Sequence, residues 1–257
     1  MMQHTMPAVF FGHGSPMNAI ERNPFTDAWE AIGREIPRPR AVLAVSAHWY
    51  TNGTGVTAMP QPPTIHDFGN FPQELHRYQY PAPGDPALAA SVRTLLRPTD
   101  VALDENWGLD HGVWSVLCHV FPKADVPVVQ LSIDATQSPG ALFATAKKLA
   151  PLRDDGVFVI ASGNVVHNLA EMRFGDAAPT PWAVAYEARV RDAAAVGDDA
   201  TLIAYDRLPD AAIAAPDIEH FLPLLYILAL RRDGETPSFP TAGIVARAIS
   251  MLSVRLG

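Results

Sequence analysis

Val9-Phe10-Phe11-Gly12-His13-Gly14-Ser15-Pro16 begins as an apolar run and ends on a histidine held between two glycines and followed by proline. The pattern predicts a buried strand that stops abruptly and presents one imidazole at its carboxyl end. Two further stretches repeat it. Ala41 to Ala47 is an apolar run that delivers His48, and Val157 to Ser162 leads into Gly163-Asn164-Val165-Val166-His167. In open α/β sheets, ligands bind beyond the carboxyl ends of strands. Three histidines brought to one such edge would suit a divalent metal.

Working outward, helix and strand patterns alternate along the chain. Helices are expected over Pro24–Ile36, Pro86–Leu96, Gly112–Phe121, Pro139–Leu149, Trp182–Val196 and Pro216–Leu230. Short strands are expected at Val56–Thr57, Val101–Asp104 and Val126–Ile133, with Val245–Val254 a closing helix or strand. Asp110 is a candidate N-cap for the helix that starts after it. The alternation predicts one three-layer α/β/α domain over residues 1–257, with a mainly parallel or mixed central sheet. The loop from Met59 to Pro86 is rich in proline and aromatics and holds His66, Phe68, Phe71, His76, Tyr78 and Tyr80. Its length and aromatics suit an ordered wall over a binding pocket.

The composition excludes several classes. The 257 residues carry 19 basic and 27 acidic side chains, a net charge of −8, which argues against a nucleic-acid partner. The longest apolar stretch, Phe221–Leu230, is about half a membrane span. The N-terminal residues do not read as a signal peptide, so a cytoplasmic protein is expected. One cysteine, Cys118, excludes an internal disulfide, and its apolar helical setting suits a buried inert thiol.

Nine histidines carry the chemistry. His4 lies in the terminus, His119 inside a helix, and His66 and His76 in the aromatic loop. His13, His48, His111, His167 and His220 each sit at an element boundary. No His-Glu-x-x-His, paired-cysteine zinc site or phosphate-binding glycine loop is present. The Gly-His-Gly-Ser-Pro stretch is not a nucleophile elbow, because serine is not central between its glycines.

Phe11-Gly12-His13-Gly14-Ser15-Pro16-Met17, Ser46-Ala47-His48-Trp49, Leu109-Asp110-His111-Gly112-Val113-Trp114 and Gly163-Asn164-Val165-Val166-His167-Asn168 resemble, in that order, the class III extradiol ring-cleavage dioxygenases. Thr64-Ile65-His66-Asp67-Phe68, Phe71-Pro72 and Tyr80-Pro81-Ala82-Pro83-Gly84-Asp85-Pro86 resemble the aromatic loop of the DOPA 4,5-dioxygenase branch, which is related to the protocatechuate 4,5-dioxygenase catalytic subunit. The likeness runs from about Pro7 to the C-terminal elements. It implies a mononuclear non-haem metal, Fe(II) for activity, with His13 and His48 as ligands. The late carboxylate ligand of protocatechuate-type relatives falls at Asp217-Ile218-Glu219-His220-Phe221 here, so the third ligand is His220 or, alternatively, Glu219. His167 resembles the family's histidine beside the metal, either a further ligand or an acid/base, and His111 a pocket histidine that binds substrate or moves protons. A histidine-rich donor set would also hold Zn(II) in purified protein.

That resemblance implies O₂ and a small aromatic partner, a catechol opened next to its hydroxyls, in a monomer or small homo-oligomer. Trp49, His66, Phe68 and Tyr80 would contact the ring, with Trp114 either a wall or a core residue. Arg77 or Arg173 would have to enter the pocket for a strongly anionic substrate. Three other readings are a zinc hydrolase with a base such as Glu219, a non-catalytic metal-binding or interaction domain, and a family member without ring-cleaving activity.

Overall fold

Residues 8–12, 41–51 and 157–163 pair side by side because their side chains are apolar on both faces. In the computed structural model, which describes residues 5–173, 175 and 178–257, the elements run as follows. Strand β1 is Ala8–Gly12, helix α1 Pro24–Glu35, β2 Ala41–Thr51, β3 Thr54–Thr57, α2 Gln73–Arg77, α3 Pro86–Leu95, β4 Val101–Asp104 and α4 His111–Val120. Then come β5 Val128–Asp134, α5 Pro139–Lys147, α6 Pro151–Asp154, β6 Val157–Gly163, α7 Pro181–Val196, α8 Asp199–Ile203, α9 Ala211–Ala214 and α10 Leu222–Leu228. The short strands β7 Ile244–Val245, β8 Ile249–Ser250 and β9 Val254–Leu256 close the chain. His4 lies outside the described residues.

Seven strands form a mixed sheet in the order β4-β3-β5-β2-β6-β1-β9. β2, β6 and β1 are adjacent and parallel, in register Ala41↔Val157 and Ala8↔Val159. The three strands that carry histidine therefore end at one edge, as expected. Antiparallel pairing occurs at β3–β5 and at the edge strand β9.

The period of two assigns each strand residue to one of two cores. Phe10, Leu43, Val45 and Val159 face the layer of α3, α5, α7 and α10. Val9, Phe11, Ala44, Phe158 and Ile160 face Trp29 of α1 and Trp114 of α4. Strands buried on both faces read as continuous apolar runs, which is why the sequence marked them.

Two expectations need correction. β2 continues to Thr51, so His48 sits within the strand, not after it. The pairing of β2 with β5 shifts register between Val45 and Tyr50, and such irregularities re-aim side chains. The segment expected as one helix over 216–230 is a 3₁₀ turn, Ile218–His220, followed by α10. Pro223 stands in the first turn of α10, where its missing N–H is harmless; deeper in a single helix it would break the ladder. The aromatic loop is tied down by α2 and by a parallel bridge from Thr64 to Leu109.

Candidate metal centre

Each inner histidine is held by its Nδ1 edge. His13 follows β1, where Gly14 takes φ +64°, a left-handed turn that favours glycine. Its Nδ1 lies 2.9 Å from Ser162 Oγ on β6. The Ser162 hydroxyl donates its only hydrogen to the Gly112 carbonyl, so Oγ accepts the His13 Nδ1–H. His48 Nδ1 lies 3.2 Å from Asp67 Oδ2, and His220 Nδ1 lies 3.4 Å from Glu219 Oε1. Three acceptors therefore set three rings in the same tautomer, with each Nε2 lone pair free.

Those lone pairs converge. His13 Nε2 and His48 Nε2 are 3.3 Å apart, and the ligand nitrogens of His13, His48 and His220 all lie within 4.8 Å of one another. Two acceptors at that distance repel unless a cation lies between them. Two nitrogens at ~2.1 Å from one metal would sit at about this separation. Burial, followed by the neighbouring imidazoles, pushes the His13 and His48 pKa values well below their usual range. The rings are thus neutral, the form that binds metal. The donor set fits a divalent transition metal.

Close approach at the sheet edge explains one glycine. A Cβ at Gly163 would lie 2.2 Å from the His220 carbonyl oxygen, which accepts the Asn164 N–H at 2.9 Å. Only glycine lets the His220 turn reach the end of β6.

His111 opens α4 behind Asp110, the N-cap foreseen in the sequence. Asp110 is fully buried, accepts from Ser46 Oγ at 2.7 Å and from the Gln130 amide, and its pKa is raised by burial and then by the charge of Asp67. The His111 ring is 3.9 Å from that of His48. Burial alone would raise the Asp67 pKa, but hydrogen bonds and charge from His111 outweigh it and hold the carboxyl below its usual range.

His167 differs from these. Its ring stacks on His220 with centroids 3.6 Å apart and planes 4° apart. Its Nδ1 is buried with no hydrogen-bond partner, and burial followed by His220 and His111 lowers its pKa to about 3. Among the described residues, the ligand groupings are His13/His48/His220 and His48/Asp67/His111; His167 enters neither. Glu219 is committed to the His220 ring, so the base that a zinc hydrolase would need is already engaged.

The five histidines line a cavity of about 420 Å³ with Met17, Phe68, Phe71, Leu169, Met172, Val245 and Ile249. Glu21 is the one acidic lining residue, and no lysine or arginine lines it among the described residues. Arg77 and Arg173 are therefore absent from the wall. A non-catalytic domain with dispersed surface histidines does not match this geometry.

Of the expected ring contacts, Phe68 alone lines the cavity. Because His48 faces the cavity, Trp49 must face the other way on β2, where it stacks on Trp107 at 5.6 Å and 3°. Tyr80 is buried and donates its hydroxyl to the Phe121 carbonyl at 3.0 Å. His66 Nε2 lies 2.8 Å from the Tyr78 carbonyl, behind Phe68. Trp114 is a core residue whose indole N–H donates to the Ile65 carbonyl at 2.8 Å. The residues that sequence reasoning missed are Ser162 and Asp67. Ser162 had a signal, a polar residue inside a doubly buried strand; Asp67 had none beyond its neighbours.

A three-imidazole centre at the carboxyl edge of an α/β sheet, opening on an apolar aromatic cavity, defines a metal-dependent enzyme for a small hydrophobic substrate. Residues 2–256 match the family described as the catalytic LigB subunit of aromatic ring-opening dioxygenase, and the chain belongs to that family. It is 49% identical to the 4,5-DOPA dioxygenase extradiol of Escherichia coli K12, over 100% of this chain and 97% of that one. The Beta vulgaris protein of the same name is 35% identical, over 84% of this chain and 83% of its own. A crystal structure of an uncharacterized Escherichia coli K12 protein superposes with a TM-score of 0.87 at 43% identity, covering 98% of this chain and 100% of that chain. The protein is thus a metal-dependent extradiol dioxygenase that opens an aromatic ring with O₂. Among the described residues, no helix is long and apolar enough to cross a membrane.

Proposed function

We propose that residues 1–257 act as one catalytic domain that cleaves a catechol beside its two hydroxyls, using Fe(II) held by His13, His48 and His220. The observation that carries this reading is the convergence of three imidazole nitrogens at the floor of an apolar cavity. Bound Fe(II) would supply Lewis acidity and a template that brings catechol and O₂ together. The same donors would hold Zn(II), which stands above Fe(II) in the affinity order.

The chain's residues supply the rest. Phe68 and Phe71 contact the ring plane, and the apolar rim of Met17, Leu169 and Val245 keeps water out. His111 accepts a catechol hydroxyl proton. His167 takes and returns a second proton at Nε2, because its Nδ1 is sealed from solvent. With Glu21 at the mouth and no cation on the wall among the described residues, the substrate tail carries an ammonium. The amino-acid tail of DOPA meets that requirement, and the relatives from Escherichia coli and Beta vulgaris are named for DOPA.

Oxygen uptake tests the reading. The protein is stripped of metal, reloaded anaerobically with Fe(II), and mixed with aerated buffer and a panel of catechols that includes DOPA. Oxygen consumption with a yellow ring-opened product is expected, and His13→Ala should abolish both. Metal binding without oxygen consumption on any catechol would overturn it.

A further inference from the structure

Among the described residues, Asp67 is the one carboxylate that touches two of the cavity histidines. Its Oδ2 lies 3.2 Å from His48 Nδ1, and its Oδ1 accepts the His111 backbone N–H at 2.9 Å. The same Oδ1 lies 3.0 Å from His111 Nδ1 as an ion-pair contact, and that buried nitrogen has no aligned hydrogen-bond partner among the described residues. No lysine or arginine pairs with Asp67; its ion-pair neighbours are the two imidazoles. The side chain is 17% exposed, so the contacts are shielded from water.

We infer that Asp67 is a positioning residue that fixes the tautomer of both His48 and His111, locking the metal floor to the substrate-binding wall through one carboxylate. This rests on the ring-cleavage reading for its purpose but not for its chemistry. An ionised carboxylate accepts on both oxygens and donates on neither. It therefore requires Nδ1–H on each ring, which leaves Nε2 of His48 free to ligate and Nε2 of His111 free to accept a proton. Carboxylates behind metal-bound histidines commonly set ring orientation and basicity. Here the second oxygen extends that control to a ring that is not in the metal's donor set. The loop that carries Asp67 also carries Phe68, so docking the loop sets the wall and both tautomers together.

Asp67→Asn breaks the arrangement with little change in shape, because an amide offers one acceptor and one donor. It cannot accept from both rings, so one imidazole must change tautomer. Long-range ¹H–¹⁵N spectra of the metal-free wild type should show His48 and His111 protonated at Nδ1. In Asp67→Asn, one of the two should shift its proton to Nε2. Zn(II) affinity, read by chelator competition, should fall about 10- to 100-fold, while Asp67→Glu, which keeps two acceptors, should recover part of it. Wild-type tautomers and wild-type Zn(II) affinity in Asp67→Asn would overturn the inference and leave Asp67 as a cap for α4. If Asp67→Asn does not fold, the wild-type spectrum decides: Nε2–H on either ring overturns it. None of these readouts requires turnover, so a failure of the ring-cleavage reading is seen separately, in oxygen uptake.

Discussion

His220 and His167 lie face to face with parallel rings, yet the chain holds them in opposite ways. His220 sits on a 3₁₀ turn pressed against Gly163, and Glu219 accepts from its Nδ1. His167 sits on the loop after β6; its backbone is fixed by a bond from its N–H to the Ala214 carbonyl at 2.8 Å, but no side chain fixes its tautomer. A ring with an assigned lone pair is suited to be a ligand. A ring without one is free to take and return a proton at its open Nε2, as the proposed acid/base must. On the proposed reading, the same fold edge would supply both a metal ligand, His220, and a proton carrier, His167.

The largest expected effect comes from exchanging the two halves of that pair. His220→Ala should lower Fe(II) or Zn(II) affinity by on the order of 100-fold or more, at or beyond the loss seen when outer partners of metal ligands are removed. His167→Ala should bind metal almost as the wild type does but lose roughly 10²- to 10⁴-fold in kcat, the usual worth of a general acid/base. Metal titration and steady-state kinetics on the two variants check this. If His167→Ala loses metal as His220→Ala does, His167 is a ligand after all and the contrast collapses.

The same contrast shows what the sequence could reveal. β1, β2 and β6 were readable because doubly buried strands are apolar throughout, and the histidines at their ends followed from chain order. His13, His48 and His220 could be placed at an edge, but nothing local in the sequence says that their lone pairs meet. That depends on Ser162, Asp67 and Glu219, each a partner distant in sequence or hidden beside a more conspicuous residue. Trp49 and Tyr80 were misplaced for a simpler reason. Aromatics in a loop or next to a site histidine look like walls, but the strand's period of two turned Trp49 away, and the Tyr80 hydroxyl found a core carbonyl. Without the pairing register, inward and outward aromatics cannot be told apart.

The buried neutral histidines should also make the metal-free protein acid-sensitive. His13, His48 and His167 have folded pKa values below the unfolded value near 6.5. Below that pH the unfolded chain takes protons that the fold refuses, so stability falls as pH falls. Asp110, raised to about 6 by burial and then by the charge of Asp67, takes a proton in the fold within the same window and opposes one of these. The net expectation is a loss of about 2–3 kcal/mol per pH unit between pH 6 and 5, from roughly two net protons at about 1.4 kcal/mol each. Denaturant titrations of the metal-free protein at several pH values would measure it. His167→Gln should remove about one proton from the slope; an unchanged slope would mean that His167 is already charged in the fold.

The smallest effect tests the cavity mouth against its floor. Glu21 is solvent-exposed and acts at the rim, where water and salt screen charge. Its neighbour Arg22 is held by Asp27 and Glu30, so it does not neutralise the rim from that side. A catechol with an ammonium tail should therefore be favoured over one with a carboxylate tail in kcat/KM, and DOPA, which carries both charges, should fall between them. Glu21→Gln should shrink the ammonium-to-carboxylate ratio about two- to fivefold, the scale of an exposed ion pair, through KM and not kcat. Raising the salt concentration should shrink the wild-type ratio in the same direction. A ratio that ignores both changes would move tail selection away from the rim.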